Sequence, residues 1–486
     1  MIPKSFAAES ASAVSSLSSS LNSAEIRGAC QPGVVLSLLS VNPEDASSTP
    51  DGGVRQVGRS SGGGFVGSAV GTGRVLVVGG FGTEVVDALA RHGARSVLLQ
   101  TSGATTEAQR RAVEEVVELP DLADRAAVLA ACAAVHARSP LTGVLSLTEF
   151  GLAPAAALAV DLELPALHSE ATTQALRDKS EMRRILAAAG RDIGYARVTT
   201  PADAVASANR IGYPVVVKPC SSWGSLAVRR AESPAEVSAA TDAVLEVSPA
   251  AVVERFLEGR EYSVEAFSTA GEHHIVAITG KRVVDMLEMG HVVPAPIAPE
   301  DASEVEAAVE SFLDVVGVRD GATHTEVIVT EDGVLPVESH TRVGGDRIPE
   351  LVRLATGVDL YEWAAGRVLG IRPLEPPHPD AGAAAIVFFH ADPGAVTRID
   401  GVDEARRAPG VVEVEVSVSV GDVVGRLAHS FDRCGYAIAT GDDADVACAR
   451  ADHAVGLINV RTDVDRAADP ADLRARRSRQ AAGRRR

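Results

Sequence analysis

The stretch HTEVIVTEDGVLPVESHTRVGGDRI, His324 to Ile348, sets two acidic residues, Glu326 and Glu338, in short β-like runs and closes on Arg342, Gly344, Gly345 and Asp346. Carboxylates withdrawn from water are costly unless they are paired, protonated or bound to a cation. Two of them beside a fixed guanidinium supply hard oxygen ligands suited to Mg²⁺ and a planar fork suited to phosphate.

Two lysines add to that chemistry. Lys179 follows Asp178 at the opening of the amphipathic segment LRDKSEMRRILAAAG, and taken alone it reads as a surface lysine. Lys218 ends the Val-rich run of GYPVVVKPCSSWGSLAV. From there a lysine can reach a nucleotide phosphate as a point charge, with Ser221, Ser222, Ser225 and the loop's N–H groups as further donors. The pattern GxxxxGK[ST] occurs nowhere, so this is not a Walker loop. Next, AVVERFLEGREYSVEAF reads as a strand, a short polar break and a second strand. Here Glu254 could accept from an adenine amino group, the backbone of Phe256 and Leu257 could read the ring edge, and Glu261 could hold ribose hydroxyls. An ordinary hairpin with exposed acids is the competing reading.

These residues need a scaffold, and 486 residues are enough for two to four structural units with a large core. Segments between residues 74 and 148 alternate as α/β folds do: RVLVVGG, SVLLQT and TGVLSL read as strands with helices between them, a Rossmann-like parallel sheet. The glycine turn after the first strand lacks the third small residue, where Val85 stands, and no acid ends the next strand. NAD binding is therefore not expected. With 46 basic against 65 acidic residues the net charge is −19, which argues against nucleic acid as a partner. The five cysteines are scattered and form no CxxC, so neither disulfides nor structural zinc are indicated and a cytoplasmic location fits best. No run of 18 apolar residues occurs, so no membrane span is expected. Residues 1–70, rich in Ser, Gly and Ala, read as a disordered leader, and the arginine-rich residues 464–486 as a basic disordered tail.

In this order and at these spacings the segments resemble the ATP-grasp superfamily. The resemblance implies a mixed α/β and α+β fold with a Rossmann-like domain at 71–175, an ATP-lid domain at 176–265, a catalytic domain at 266–370 and a β-rich C-terminal subdomain at 371–463. It implies that Lys179 and Lys218 hold ATP phosphates, that Cys220 to Leu226 form the lid, that Glu254 to Leu257 recognise adenine and that Glu261 binds ribose. Glu326 and Glu338 match the family's ligands for Mg²⁺, two ions, with Mn²⁺ as a substitute. Arg342 matches the arginine that steadies the acyl phosphate and the tetrahedral intermediate, with Gly344 and Gly345 letting the backbone approach. His340 departs from the pattern, which has asparagine there as a further oxygen ligand. Imidazole suits Mg²⁺ poorly, so its role stays open. The lid departs too, with Trp223 and a single Gly224 where several glycines are usual.

Within the superfamily the chain resembles carboxylate–amine ligases that include the L-amino-acid ligases, on the segments LEMGHVVPAPI and ESHTRVGGDRIPELV and the C-terminal region. That likeness implies that Glu288 and His291 line an acceptor pocket and that small carboxylate and amine substrates are joined through an acyl phosphate, in a homodimer. Another ATP-grasp chemistry, a carboxylase or a purine-pathway ligase, and a non-catalytic nucleotide-binding regulator are the alternatives.

Overall fold

The computed structural model describes residues 73–221, 227–284, 287–371 and 381–463. The expected leader and tail lie outside the described residues, as do Ser222, Trp223, Gly224 and Ser225 of the expected lid.

Strand Arg74–Val78, buried along its whole length, pairs in parallel with Arg95–Thr101 and Gly143–Leu145. A fourth strand, Glu115–Leu119, extends the parallel sheet at its edge. This strand departs from the sequence reading, which placed only a helix between SVLLQT and TGVLSL. Its EVVEL run is half-buried at every position, with no clean inside and outside face to signal a period of two. The glycine turn after the first strand is a packing device: Gly79 has φ +70, and a Cβ there would lie 2.5 Å from the Phe150 ring.

A small antiparallel sheet follows, in the order Tyr195–Val198, Ala251–Arg255, Val215–Pro219, Arg229–Ala231. Helices Pro201–Ile211 and Pro234–Leu245 cover it. Each begins with proline behind a hydroxyl cap, Thr200 accepting from the Asp203 N–H and Ser233 from the Glu236 N–H. Their alanines and valines close a core over Val198, Val215, Val217 and Val253.

The largest element is an eight-stranded antiparallel sheet, in the order Gly333–His340, Gly321–Thr330, Arg260–Thr269, Glu272–Val284, Leu287–Val293, Ala383–Phe389, Gly435–Gly441, Val411–Val416. One face packs on helix Pro299–Val315 through Val264, Val327, Phe312 and Leu313. Three of its strands come from the C-terminal part of the chain, joined where Leu287–Val293 pairs with Ala383–Phe389. The polar break in AVVERFLEGREYSVEAF is therefore no hairpin turn. It carries the chain from the small sheet to the large one, and Gly259 in it runs so close to the Val329 carbonyl that a Cβ would sit 2.1 Å from its oxygen.

Candidate active site

The opening stretch is a hairpin, and its register does chemistry. His324 lies opposite His340, and Glu326 opposite Glu338. Side chains two apart on a strand share a face, so these four form one block. The reverse face of the same pair is closed by Thr325 and Ser339, buried and 2.9 Å apart. Burial raises the pKa of Glu326, but Lys281 and His324 outweigh it and hold the carboxyl well below the usual range. For Glu338 burial is likewise overcome, by Lys179 and His340, again leaving it well below that range. Both are ionised, hard oxygen donors.

Lys179 and Lys218 are both buried. The Lys179 ammonium donates to Glu338 at 2.8 Å, and its backbone N–H donates to the Cys220 carbonyl, tying the helix start to the end of the Lys218 strand. Lys218 lies 2.7 Å from Glu254. Burial lowers the Lys218 pKa, and Glu254 offsets this only in part, with Arg183 and Lys179 nearby. Arg183 grips the same Glu254 at 2.8 and 3.3 Å and also donates to the Pro336 and Val337 carbonyls. Burial would raise Glu254, yet Arg183 and Lys218 hold its pKa at about 2. Both Glu254 oxygens are thus engaged by cations, so an adenine amino group would have to compete with two charged partners for that carboxylate. The Phe256 N–H is also taken, by the Pro214 carbonyl at 3.2 Å.

Sequence reasoning missed Lys281. Its ammonium is 2.7 Å from Glu261 and 2.8 Å from both Glu288 and Glu326, one proton for each carboxylate. Burial lowers its pKa, but the three carboxylates raise it well above the ordinary value. Oxygens of Glu261, Glu288 and Glu326 lie within 4.8 Å of one another, a donor set that a hard divalent cation could use.

Glu149 was missed as well. It opens helix Glu149–Asp161 just past the Gly143–Leu145 strand, and one of its oxygens accepts from His340 Nδ1 at 2.9 Å and Arg342 Nε at 3.2 Å. The other accepts from Arg177 Nε at 3.2 Å. Burial is outweighed by these partners, His340 first, and the Glu149 pKa falls to about 2. The second nitrogen of His340 faces Glu338 at 2.9 Å, so the ring spans two carboxylates. An acid at the carboxyl end of a parallel strand was the available signal, since that edge is where α/β sheets gather function.

Beyond Arg342, Gly344 and Gly345 differ. A Cβ on Gly344 would press on Ile348, Glu265 and His324 at 3.0 to 3.1 Å, whereas Gly345 borders open space. The left-handed turn falls instead on Asp346 (φ +50) and Arg347 (φ +64). Asp346 is held bidentately by Arg433 at 2.6 and 2.7 Å and lies 3.4 Å from His291, while Arg433 also donates to the Glu288 carbonyl. Every nominated residue among the described ones lines a single cavity except the two that open the expected lid, Cys220, which is buried, and Ser221, which is exposed. The cavity measures about 2100 Å³. Pockets for one small ligand run to roughly 1,000 Å³, so a nucleotide and further substrates fit together.

Residues 86–166 match the family described as ATP-grasp N-terminal domain, residues 211–350 the ATP-grasp domain, and residues 387–463 the L-amino acid ligase C-terminal domain 2. An uncharacterized protein of Sinorhizobium fredii, y4rH, is 30% identical over 317 residues, which is 62% of this chain and 64% of that protein. A D-alanine–D-alanine ligase of Mycolicibacterium paratuberculosis is 30% identical over 228 residues, 40% of this chain and 60% of that one. The chain thus spans somewhat under two thirds of the length of both curated relatives. The crystal structure of an L-amino acid ligase from Bacillus licheniformis superposes with a TM-score of 0.70 at 22% identity, covering 80% of this chain and 99% of that one, a likeness of fold. No helix among the described residues is long and apolar enough to cross a membrane.

Proposed function

Because the chain belongs to the ATP-grasp superfamily, we propose that it is an ATP-dependent ligase joining an amino acid or small carboxylic acid to an amine, with release of ADP and phosphate. The observation that carries this reading is the charged block on one sheet face, Glu326 and Glu338 between the buried cations Lys179 and Lys281, opening with Arg342 on one cavity.

In this reading a carboxylate oxygen of the first substrate bonds to the γ-phosphorus of ATP, and the bond from that phosphorus to ADP breaks. The amine then bonds to the acyl carbon, the phosphate leaves with the electron pair of its C–O bond, and the amine gives up a proton. No protein nucleophile is required. Lys179 and Lys218 hold phosphate oxygens, while Lys281, its three protons on Glu261, Glu288 and Glu326, keeps those carboxylates in place. Glu326 and Glu338 would hold Mg²⁺, with Glu261 and Glu288 as oxygen donors next to Glu326, and His340 stays outside the ligand set because both its nitrogens are engaged by carboxylates. Mg²⁺ when bound supplies charge neutralisation on the transferring phosphoryl group. Arg342 donates to the oxygens that become negative, in a site from which water is kept because it would hydrolyse the intermediate. Glu288 and His291 line the amine side. Two Mg²⁺ ions, a cytoplasmic location and a homodimer complete the proposal.

The test is ADP release with Mg·ATP across a matrix of amino acids and amines, with product masses. ADP formation should require both a carboxylate and an amine, and the product should weigh their sum less one water. Turnover that depends on bicarbonate, or that ignores the amine, would sink the proposal.

A further inference from the structure

Glu149 has no part in the chemistry just described, yet three side chains donate to its carboxylate. We infer that Glu149 is a positioning residue of the ligase reaction, fixing the guanidinium plane of Arg342 and holding the His340 ring as a strut between itself and Glu338. The inference rests on the ligase reading.

The geometry leaves little freedom. Arg342 is anchored twice, Nε on Glu149 at 3.2 Å and Nη1 on the Val343 carbonyl at 2.8 Å, so its plane is set while other N–H groups remain for a substrate. Glu149 itself cannot swing, because Arg177 holds its other oxygen. The backbone under it is pressed against the parallel sheet: a Cβ on Gly151 would lie 2.2 Å from the Val78 carbonyl oxygen. A negative charge in the first turn of a helix is also favoured by the unpaired N–H groups there. The carboxylate is therefore a rigid projection of the parallel sheet into the catalytic hairpin. An arginine that must meet a developing oxyanion gains from such a support, since a misplacement of about 1 Å can cost roughly 10²-fold in rate.

The full chain carrying Glu149→Gln, Arg342→Lys or both is compared for kcat, for the KM of each substrate and for binding of a non-hydrolysable Mg·ATP analogue. Glu149→Gln should lower kcat roughly 10²-fold while KM and analogue binding stay within about threefold. In the Arg342→Lys background the same change should cost less than about twofold, because its target is already altered. Losses that multiply in the two backgrounds, or a higher KM at unchanged kcat, overturn the inference. If Glu149→Gln does not fold, Glu149→Asp enters the same cycle, keeping the charge but drawing it back by one methylene. Failure of the ligase reading looks different: the wild type then releases no ADP with any carboxylate–amine pair. The inference is in that event decided by the Arg342 Nε–H resonance, identified by its loss in Arg342→Lys. It should move or broaden in Glu149→Gln, and an unmoved signal overturns the inference.

Discussion

One buried carboxylate, Glu254, serves two cations with different tasks. Lys218 faces the cavity, whereas Arg183 ties Glu254 to the carbonyls of Pro336 and Val337. Lys218→Met leaves Glu254 still paired, so the fold should persist by circular dichroism while ADP release falls by roughly 10²-fold or more. Near-normal turnover would remove Lys218 from the phosphate site. Arg183→Met instead removes the buried carboxylate's main partner and should cost on the order of 3 kcal/mol, read from a denaturant midpoint. The sequence pointed to Lys218, because it ends a valine run before a polar loop. Arg183 and Lys281 escaped, each beside a twin: Arg184 is exposed and pairs with Glu181, and Arg282 is exposed and pairs with Asp452. Which member of a basic pair turns inward depends on distant packing that no local pattern carries. Glu149 escaped for the same reason, since its partners are 28 to 193 residues away.

Among elements, the crossover at residues 256–259 decides how the small sheet meets the large one. Gly259→Ala drives a methyl into the Val329 carbonyl, so the crossover must shift. Stability should fall by about 1–3 kcal/mol and the KM for ATP should rise more than kcat falls, by thermal melts and steady-state kinetics. An unchanged KM would mean that the crossover does not shape the nucleotide site. Most strands were legible, since their apolar runs and alternations are local. The pairing of Leu287–Val293 with Ala383–Phe389 was not, because hydrophobic pattern fixes which face is buried and leaves the choice of neighbour to the rest of the chain. The hairpin at Glu326 and Glu338 was legible as two short runs about a tight turn, but a bulge between Glu326 and Val327 shifts its register, so that Glu326 meets Glu338 instead of the Val337 that counting back from the turn gives.

For the whole molecule, three buried groups are shifted toward the deprotonated form, whereas His324 goes the other way, its burial outweighed by Glu265 and its pKa raised to about 9. His168 is held down to about 4 from an ordinary 6.5, chiefly by burial, and Glu149 and Glu254 lie at about 2 against 4.5. In each the fold favours the deprotonated form, the unfolded chain binds more protons, and stability rises with pH. The His168 contribution is complete above 6.5 and is lost as pH falls toward 4, and that of the carboxylates is complete above 4.5 and is lost toward 2. The melting temperature should therefore decline in two stages on acidification, and His168→Gln should remove the first. A wild-type melting temperature that does not change between pH 6.5 and 4 would contradict this assignment. The same continuity that makes the large sheet one body also limits what can be transplanted. A recombinant chimera that imports a relative's C-terminal segment alone would set a foreign Ala383–Phe389 strand against the resident Leu287–Val293, with His291 facing Ile386 across the seam. The unit that must be exchanged is then the matched strand pair, and a graft cut between Asp346 and the Ala383–Phe389 strand would separate Arg433 from the Asp346 that it holds.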